Sequence, residues 1–154
     1  MATRQPPLSI LVVDDHAASA SSLARLLRQD AHSVTTAHTL TGAMAFAAGR
    51  RRFDLLICDI GLSDGDGCDL LRRLRRHYGE RPLAAIAMTG STDERLVQEC
   101  RDAGYRRCLL KPVVFTEVTA AIEALLPQAA TREARNPATA EQAAAHRGSL
   151  SRMD

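Results

Sequence analysis

Side chains capable of joint chemistry stand at the ends of short apolar runs. Asp14 and Asp15 follow LSILVV (8–13), Asp59 follows DLLIC (54–58), Thr89 follows LAAIAM (83–88), and Lys111 follows CLL (108–110) and precedes Pro112. Lys111 is the one lysine among 20 basic residues; the rest are arginine. Three carboxylates held close together repel and raise one another's pKa. A divalent cation relieves that repulsion, and all-oxygen ligands favour Mg²⁺, which readily shares substrate phosphate oxygens. A cation, a hydroxyl and an ammonium around an aspartate are the parts needed to move a phosphoryl group onto a carboxylate. Lysine suits the task as a compact charge on a flexible stem. Each signal has a plainer reading alone. An acidic pair after a strand caps a turn or helix, an aspartate before a Gly-rich loop makes a turn, and a strand-end threonine is structural. Their conjunction points to chemistry.

The elements that must position them follow from periodicity. LSILVV, SVTTA (33–37), DLLIC, LAAIAM and CLL read as strands. Helical stretches alternate with them. Their apolar faces are Ala20, Leu23, Ala24 and Leu27; Leu40, Ala43, Met44 and Ala47; Gly67, Leu70, Leu71 and Leu74; Leu96, Val97 and Cys100; and Val118, Ala121, Ile122 and Leu125. Ser91 with Glu94 reads as a capping box, and Thr116 as the cap of the last helix. Strict strand–helix alternation predicts an α/β fold, a parallel sheet covered by helices on both faces. In such sheets ligands bind beyond the carboxyl ends of the strands, where the five side chains stand.

The chain has 154 residues and a formal net charge of +2, which suits one domain with no strong pull toward nucleic acid or membrane. Aromatic residues make up 3% and tryptophan is absent, which argues against stacking platforms for single strands. No apolar run approaches a membrane span, and the first ten residues lack a signal-peptide core, so a cytoplasmic location is expected. Cys58, Cys68, Cys100 and Cys108 form no CxxC pair and read as buried or half-buried thiols. The five histidines show no mutual metal spacing, and the arginine runs at 50–52 and 72–76 read as solvated faces. DGDGCD (64–69) fails as a calcium loop, because Asp69 stands where its glycine belongs and Arg75 where its last glutamate belongs. Residues 1–7 read as a flexible lead-in, 8–126 as the folded domain, and 127–154, with eight alanines and no aromatic, as a disordered tail.

Four motifs, VVDDH (12–16), DLLICDIGLSDGDG (54–67), AMTG (87–90) and LLKP (109–112), resemble the receiver domain of the two-component response regulator family, over about residues 8–126. The intervals fit as well, with 30 residues from Asp59 to Thr89 and 22 from Thr89 to Lys111. The resemblance implies a doubly wound, flavodoxin-like sheet of five parallel strands in the order 2-1-3-4-5. It implies Asp59 as phosphoryl acceptor, Asp14, Asp15, Asp59 and the Gly61 carbonyl as Mg²⁺ ligands, and Thr89 and Lys111 as the groups that meet the phosphoryl oxygens. It also implies a cis Lys111–Pro112 bond. The implied partners are a sensor histidine kinase or histidine phosphotransfer protein as donor and a downstream protein target, with neither nucleic acid nor membrane. The chain would be a stand-alone bacterial regulator or a phosphate sink or shuttle, a monomer or a weak phosphorylation-linked dimer. Its only catalysis would be self-promoted phosphoryl transfer and autodephosphorylation, with small Gly61 and Ser91 admitting water and shortening the phosphorylated state. Two departures stand out: Ser63 replaces a frequent proline, and Cys108 replaces the usual aromatic three residues before the lysine. Two other readings compete. One is an interaction module that keeps the fold without phosphorylation. The other is a metal-dependent phosphatase with an aspartyl nucleophile, against which Gly61 occupies the place of a second acid.

Overall fold

The computed structural model describes residues 6–49 and 52–126. Residues 1–5 of the lead-in, the first two arginines of the 50–52 run and the tail 127–154 lie outside them. All five apolar runs become parallel strands of one sheet: β1 (Ser9–Val13), β2 (Ser33–Ala37), β3 (Leu55–Asp59), β6 (Ala84–Thr89) and β7 (Arg107–Leu110). Their order is β2-β1-β3-β6-β7, which is 2-1-3-4-5 among the sheet strands and flavodoxin-like. SVTTA pairs along its full length, Ser9 opposite Ser33 through Val13 opposite Ala37. Between β3 and α3 the chain adds a two-residue hairpin that periodicity does not reveal, β4 (Gly61–Leu62) against β5 (Gly65–Asp66).

Side chains alternate across the strands and build two cores. Leu11, Val13, Leu56, Cys58, Ala85 and Ala87 face α2 (Leu40–Ala48), α3 (Gly67–Tyr78) and α4 (Glu94–Ala103). Ile10, Val12, Leu55, Ile57, Ile86 and Met88 face α1 (Ala17–Gln29) and α5 (Phe115–Leu125). The expected helix faces are the buried ones: Ala20, Ala24 and Leu27 on α1, Leu70, Leu71 and Leu74 on α3, and Val118, Ala121 and Ile122 on α5. Because the strands are covered on both sides, they read as continuous apolar runs rather than alternating ones.

Two expected caps are corrected. Asp93, not Ser91, caps α4 and accepts from Arg95 N at 2.9 Å; the Ser91 hydroxyl is used on Asp93 N at 3.1 Å. Thr116 lies inside α5, which starts after Val114 with no side-chain cap. The other N-caps are Thr39 on α2, accepting from Gly42 N, and Asp66 on α3, accepting from Cys68 N. Gly104 ends α4 with φ +119°, a conformation a residue with Cβ rarely adopts. Gly67 is required for a different reason: a Cβ there would lie 2.9 Å from both the Asp59 carbonyl oxygen and Ile60 Cα. Helix α3 therefore starts pressed against the backbone just after β3.

Candidate functional site

Parallel strands present their carboxyl ends together, so the residues ending β1, β3, β6 and β7 meet at one rim. Asp14 continues β1, and its amide donates to Ala37 O at 3.1 Å. Asp59 is the last residue of β3 and Thr89 the last of β6. Lys111 follows β7, tied by its amide to Thr89 O at 2.7 Å, and its bond to Pro112 is cis. Asp14, Asp59 and Thr89 are all buried. Buried polar side chains demand partners, and this rim supplies them.

The centre of the site is an ammonium between two carboxylates. Lys111 Nζ donates to Asp59 Oδ2 at 2.8 Å and lies 3.6 Å from Asp14 Oδ2. The second Asp59 oxygen accepts from Gly61 N at 3.2 Å, and Asp14 Oδ1 accepts from His16 N at 3.0 Å. Burial pushes the Asp59 pKa up, partly countered by the hydrogen bond and charge of Lys111. Burial works against the Lys111 ammonium, yet the Asp59 hydrogen bond and the charges of Asp14 and Asp59 outweigh it and raise its pKa.

The expected residues are brought together unevenly. Asp14, Asp59 and Lys111 form one connected cluster. Thr89 neighbours Asp59 in the sheet, one residue beyond its register partner Met88. Its Oγ1 accepts from Ser91 N at 3.1 Å, and among the described residues no hydrogen bond joins it to Asp59. Gly61 is exposed, with nothing within 4 Å of the place its Cβ would take. Asp15 is exposed and faces His16, whose Nδ1 is 3.6 Å from Asp15 Oδ1. Asp14, Asp15 and His16 together offer ligand atoms within 4.8 Å of one another. The His16 imidazole thus lies beside the acidic pair, while Lys111 stands between Asp14 and Asp59. Three carboxylates against one ammonium leave the rim negative, and burial already disfavours the charge on Asp59. The oxygen-rich donor set and this excess of negative charge fit Mg²⁺.

Several supporting residues carry no sequence signature. Asp64 accepts from Leu40 N, Thr41 N and Thr41 Oγ1 at 2.7–3.0 Å, which fastens the β4–β5 hairpin to the start of α2. Those backbone hydrogen bonds hold its carboxyl below the usual range. Buried Tyr105 donates its hydroxyl to Gly67 O at 2.8 Å, which ties the connection between α4 and β7 to the start of α3. Partners 23 to 38 residues apart leave no local pattern. A cavity of about 670 Å³ opens beside Asp14 and Lys111 between α1 and the start of α5, walled by Leu23, Leu26, Met88 and Phe115.

The comparisons with known proteins agree with this geometry. The family profile described as "Response regulator receiver domain" matches residues 10–123. Probable transcriptional regulatory protein TcrX of Mycobacterium tuberculosis is 32% identical over 120 residues, 78% of this chain and 50% of that protein. Sensory/regulatory protein RpfC of Xanthomonas campestris is 30% identical over 142 residues, 89% of this chain and 19% of that protein. The chain thus spans half or less of the length of these two relatives. Among solved structures, a CheY-like receiver domain protein from Methanospirillum hungatei superimposes with TM-score 0.70 at 25% identity, covering 77% of this chain and 93% of that one. A two-component response regulator from Clostridium difficile has TM-score 0.72 at 23% identity, covering 79% of this chain and 97% of that one. With the fold, the strand-end residues and the profile in agreement, the chain belongs to the response regulator receiver family.

Proposed function

We propose that the chain accepts a phosphoryl group onto Asp59 from a phosphohistidine of a sensor kinase or phosphotransfer protein. The single observation that carries this reading is the 2.8 Å contact of Lys111 Nζ with the buried Asp59 carboxylate, beside Asp14 at the strand ends. An Asp59 oxygen forms the new O–P bond as the donor's N–P bond breaks, and the donor imidazole leaves with the electron pair. Lys111 meets the negative oxygens of the transferring group, having three donors to share between them and the carboxylates. The Thr89 hydroxyl gives up the Ser91 amide and donates to a phosphoryl oxygen, a contact made only in the phosphorylated state. Asp14, Asp15 and Asp59, with the Gly61 carbonyl, would hold Mg²⁺, which when bound supplies further charge neutralisation at the phosphoryl oxygens.

In this reading the chain works in the cytoplasm of a bacterium, alone or as a weak phosphorylation-linked dimer. It signals through protein contacts or serves as a phosphate sink or shuttle. Small groups at Gly61 and Ser91 admit water to the acyl phosphate and shorten its life. The test is incubation with Mg²⁺ and acetyl phosphate followed by intact-mass measurement. A mass gain of one phosphoryl group, lost in Asp59→Asn and without Mg²⁺, supports the reading. Continuous hydrolysis of the donor without an adduct points to a hydrolase, and no reaction to a binding module; either outcome overturns it.

A further inference from the structure

The chain's four cysteines, separated by 10, 32 and 8 residues in sequence, all lie on the α3–α4 side of the sheet. Three of them form a row. Cys68, the second residue of α3, lies with its Sγ 3.8 Å from Cys100 Sγ on α4. Cys108 on β7 packs, partly buried, against the same apolar cluster that holds Cys68 and Cys100. Cys68 and Cys100 are buried, while Cys108 is half-buried on the sheet's edge strand. Cys58 stands outside the row; its thiol donates to Asp59 O at 3.1 Å. The row therefore leads from the surface, through α4, to the start of α3.

We propose that Cys108, Cys100 and Cys68 form a peroxide-responsive thiol relay that closes a covalent bond between α3 and α4. A peroxide O–O bond breaks at the Cys108 sulfur, leaving a sulfenic acid and one water. The Cys100 sulfur attacks it; the S–S bond forms and the sulfenic oxygen leaves as a second water with the two protons. The Cys68 sulfur then attacks Cys100, and Cys108 leaves and takes up the proton Cys68 gives up. In sum two thiols are oxidised and one hydrogen peroxide is reduced to two waters.

Burial raises the pKa of all three thiols, so Cys68 and Cys100 resist a solvent oxidant on their own. Burial and the neighbouring Cys100 raise the Cys108 pKa as well, with Arg101 opposing only in part, but this is the one thiol of the row that solvent reaches. Oxidation therefore enters at Cys108. The product joins the helix pressed against Asp59 O through Gly67 to the helix that follows Thr89. It would clamp together the two segments flanking the candidate acceptor.

The test treats the full chain with equimolar hydrogen peroxide, blocks free thiols, and maps disulfide-linked peptides by mass spectrometry. The expected product is a peptide linking Cys100 to Cys68, with Cys58 still free to be alkylated after denaturation. Cys108→Ser should slow its formation about tenfold or more, since the entry thiol is gone; Cys108→Ala serves as a second variant, and circular dichroism checks both folds. In Cys100→Ser the Cys108 sulfenic acid should accumulate and be trapped by dimedone. Amide exchange across residues 94–103 should slow in the oxidised protein and recover with dithiothreitol. Equal rates in wild type and Cys108→Ser, oxidation at Cys58 first, or unchanged exchange in α4 would each overturn the proposal. None of these readouts depends on phosphorylation of Asp59.

Discussion

Gly67→Ala probes how closely the first turn of α3 is built against the site. The ideal Cβ would stand 2.9 Å from Asp59 O and 2.9 Å from Ile60 Cα, with Ile60 Cδ1 at 3.1 Å. Ordinary contacts begin near 3.4 Å, so the neighbours must yield by about half an ångström, and two of them are backbone atoms in a packed sheet end. Overpacking of this kind costs about 1–3 kcal/mol. Alanine returns part of that, up to about 1 kcal/mol of helix propensity in an interior and less at a first position. The net expectation is about 1–2 kcal/mol of destabilisation. For a folded unit of about 120 residues this lowers Tm by about 4–8 °C. The control is Gly61→Ala, six residues away, where a Cβ meets nothing within 4 Å and Tm should move by less than about 2 °C. Thermal unfolding followed by circular dichroism measures both. The displaced atom is the carbonyl of the candidate acceptor, so phosphorylation by acetyl phosphate should also slow, on the order of tenfold. Equal Tm values for the two variants would refute the claim that α3 needs a glycine to approach β3.

Three further outcomes are expected. Lys111→Arg keeps the positive charge between Asp14 and Asp59 and should change stability by less than about 1 kcal/mol, yet slow acetyl-phosphate labelling at least about tenfold, because a rigid fork replaces a turning ammonium; labelling kinetics at fixed Mg²⁺ decide it. His32 is buried with Nδ1 accepting from Leu8 N at 3.0 Å, and burial lowers its pKa despite Asp30, so the folded state refuses a proton the unfolded chain takes up. Its contribution is whole above about pH 6.5 and declines as pH falls toward the folded value, by at most about 1.4 kcal/mol per pH unit; urea titrations at pH 7.5 and 5.5 should show a loss that His32→Gln removes. Asp93→Ala should cost about 1 kcal/mol by removing the α4 cap, more than Ser91→Ala, and guanidinium unfolding of the pair checks the assignment.

Much of this architecture was legible in the sequence because burial acts locally. A strand covered on both faces must be apolar throughout, so LSILVV and DLLIC announced β1 and β3, and the first polar residue after each marked the rim. Helix faces were legible from spacing, as with Leu70, Leu71 and Leu74. The α4 start was misread because Ser91 and Glu94 satisfy the capping-box spacing, whereas Asp93 lies nearer the helix and takes the orphan amide. Asp64 on α2, Tyr105 on Gly67 and the row of thiols were illegible for a different reason. Each joins elements that are neighbours only after the sheet is wound, and no period in a single chain encodes a partner 24, 38 or 32 residues away.

The lone lysine gathers these levels into one physical argument. An arginine-rich chain places guanidinium groups where they are exposed, as at Arg72, Arg73 and Arg76 on α3, or where a fork can hold carbonyls, as Arg75 holds Leu83 O and Gly104 O. At the rim the demand is different. Two buried carboxylates lie on either side of one cation, at 2.8 Å and 3.6 Å, and the unequal distances leave one contact tight and the other loose. A planar fork would bind one carboxylate with two parallel hydrogen bonds and hold that geometry. An ammonium with three freely turning donors can keep Asp14 and Asp59 neutralised and still present a proton to a new oxygen arriving on Asp59. The backbone supports the same division of labour, since the Lys111 amide is fixed to Thr89 O at 2.7 Å while its side chain is 31% exposed. The chain end is held rigid, and the charge it carries is left free to turn.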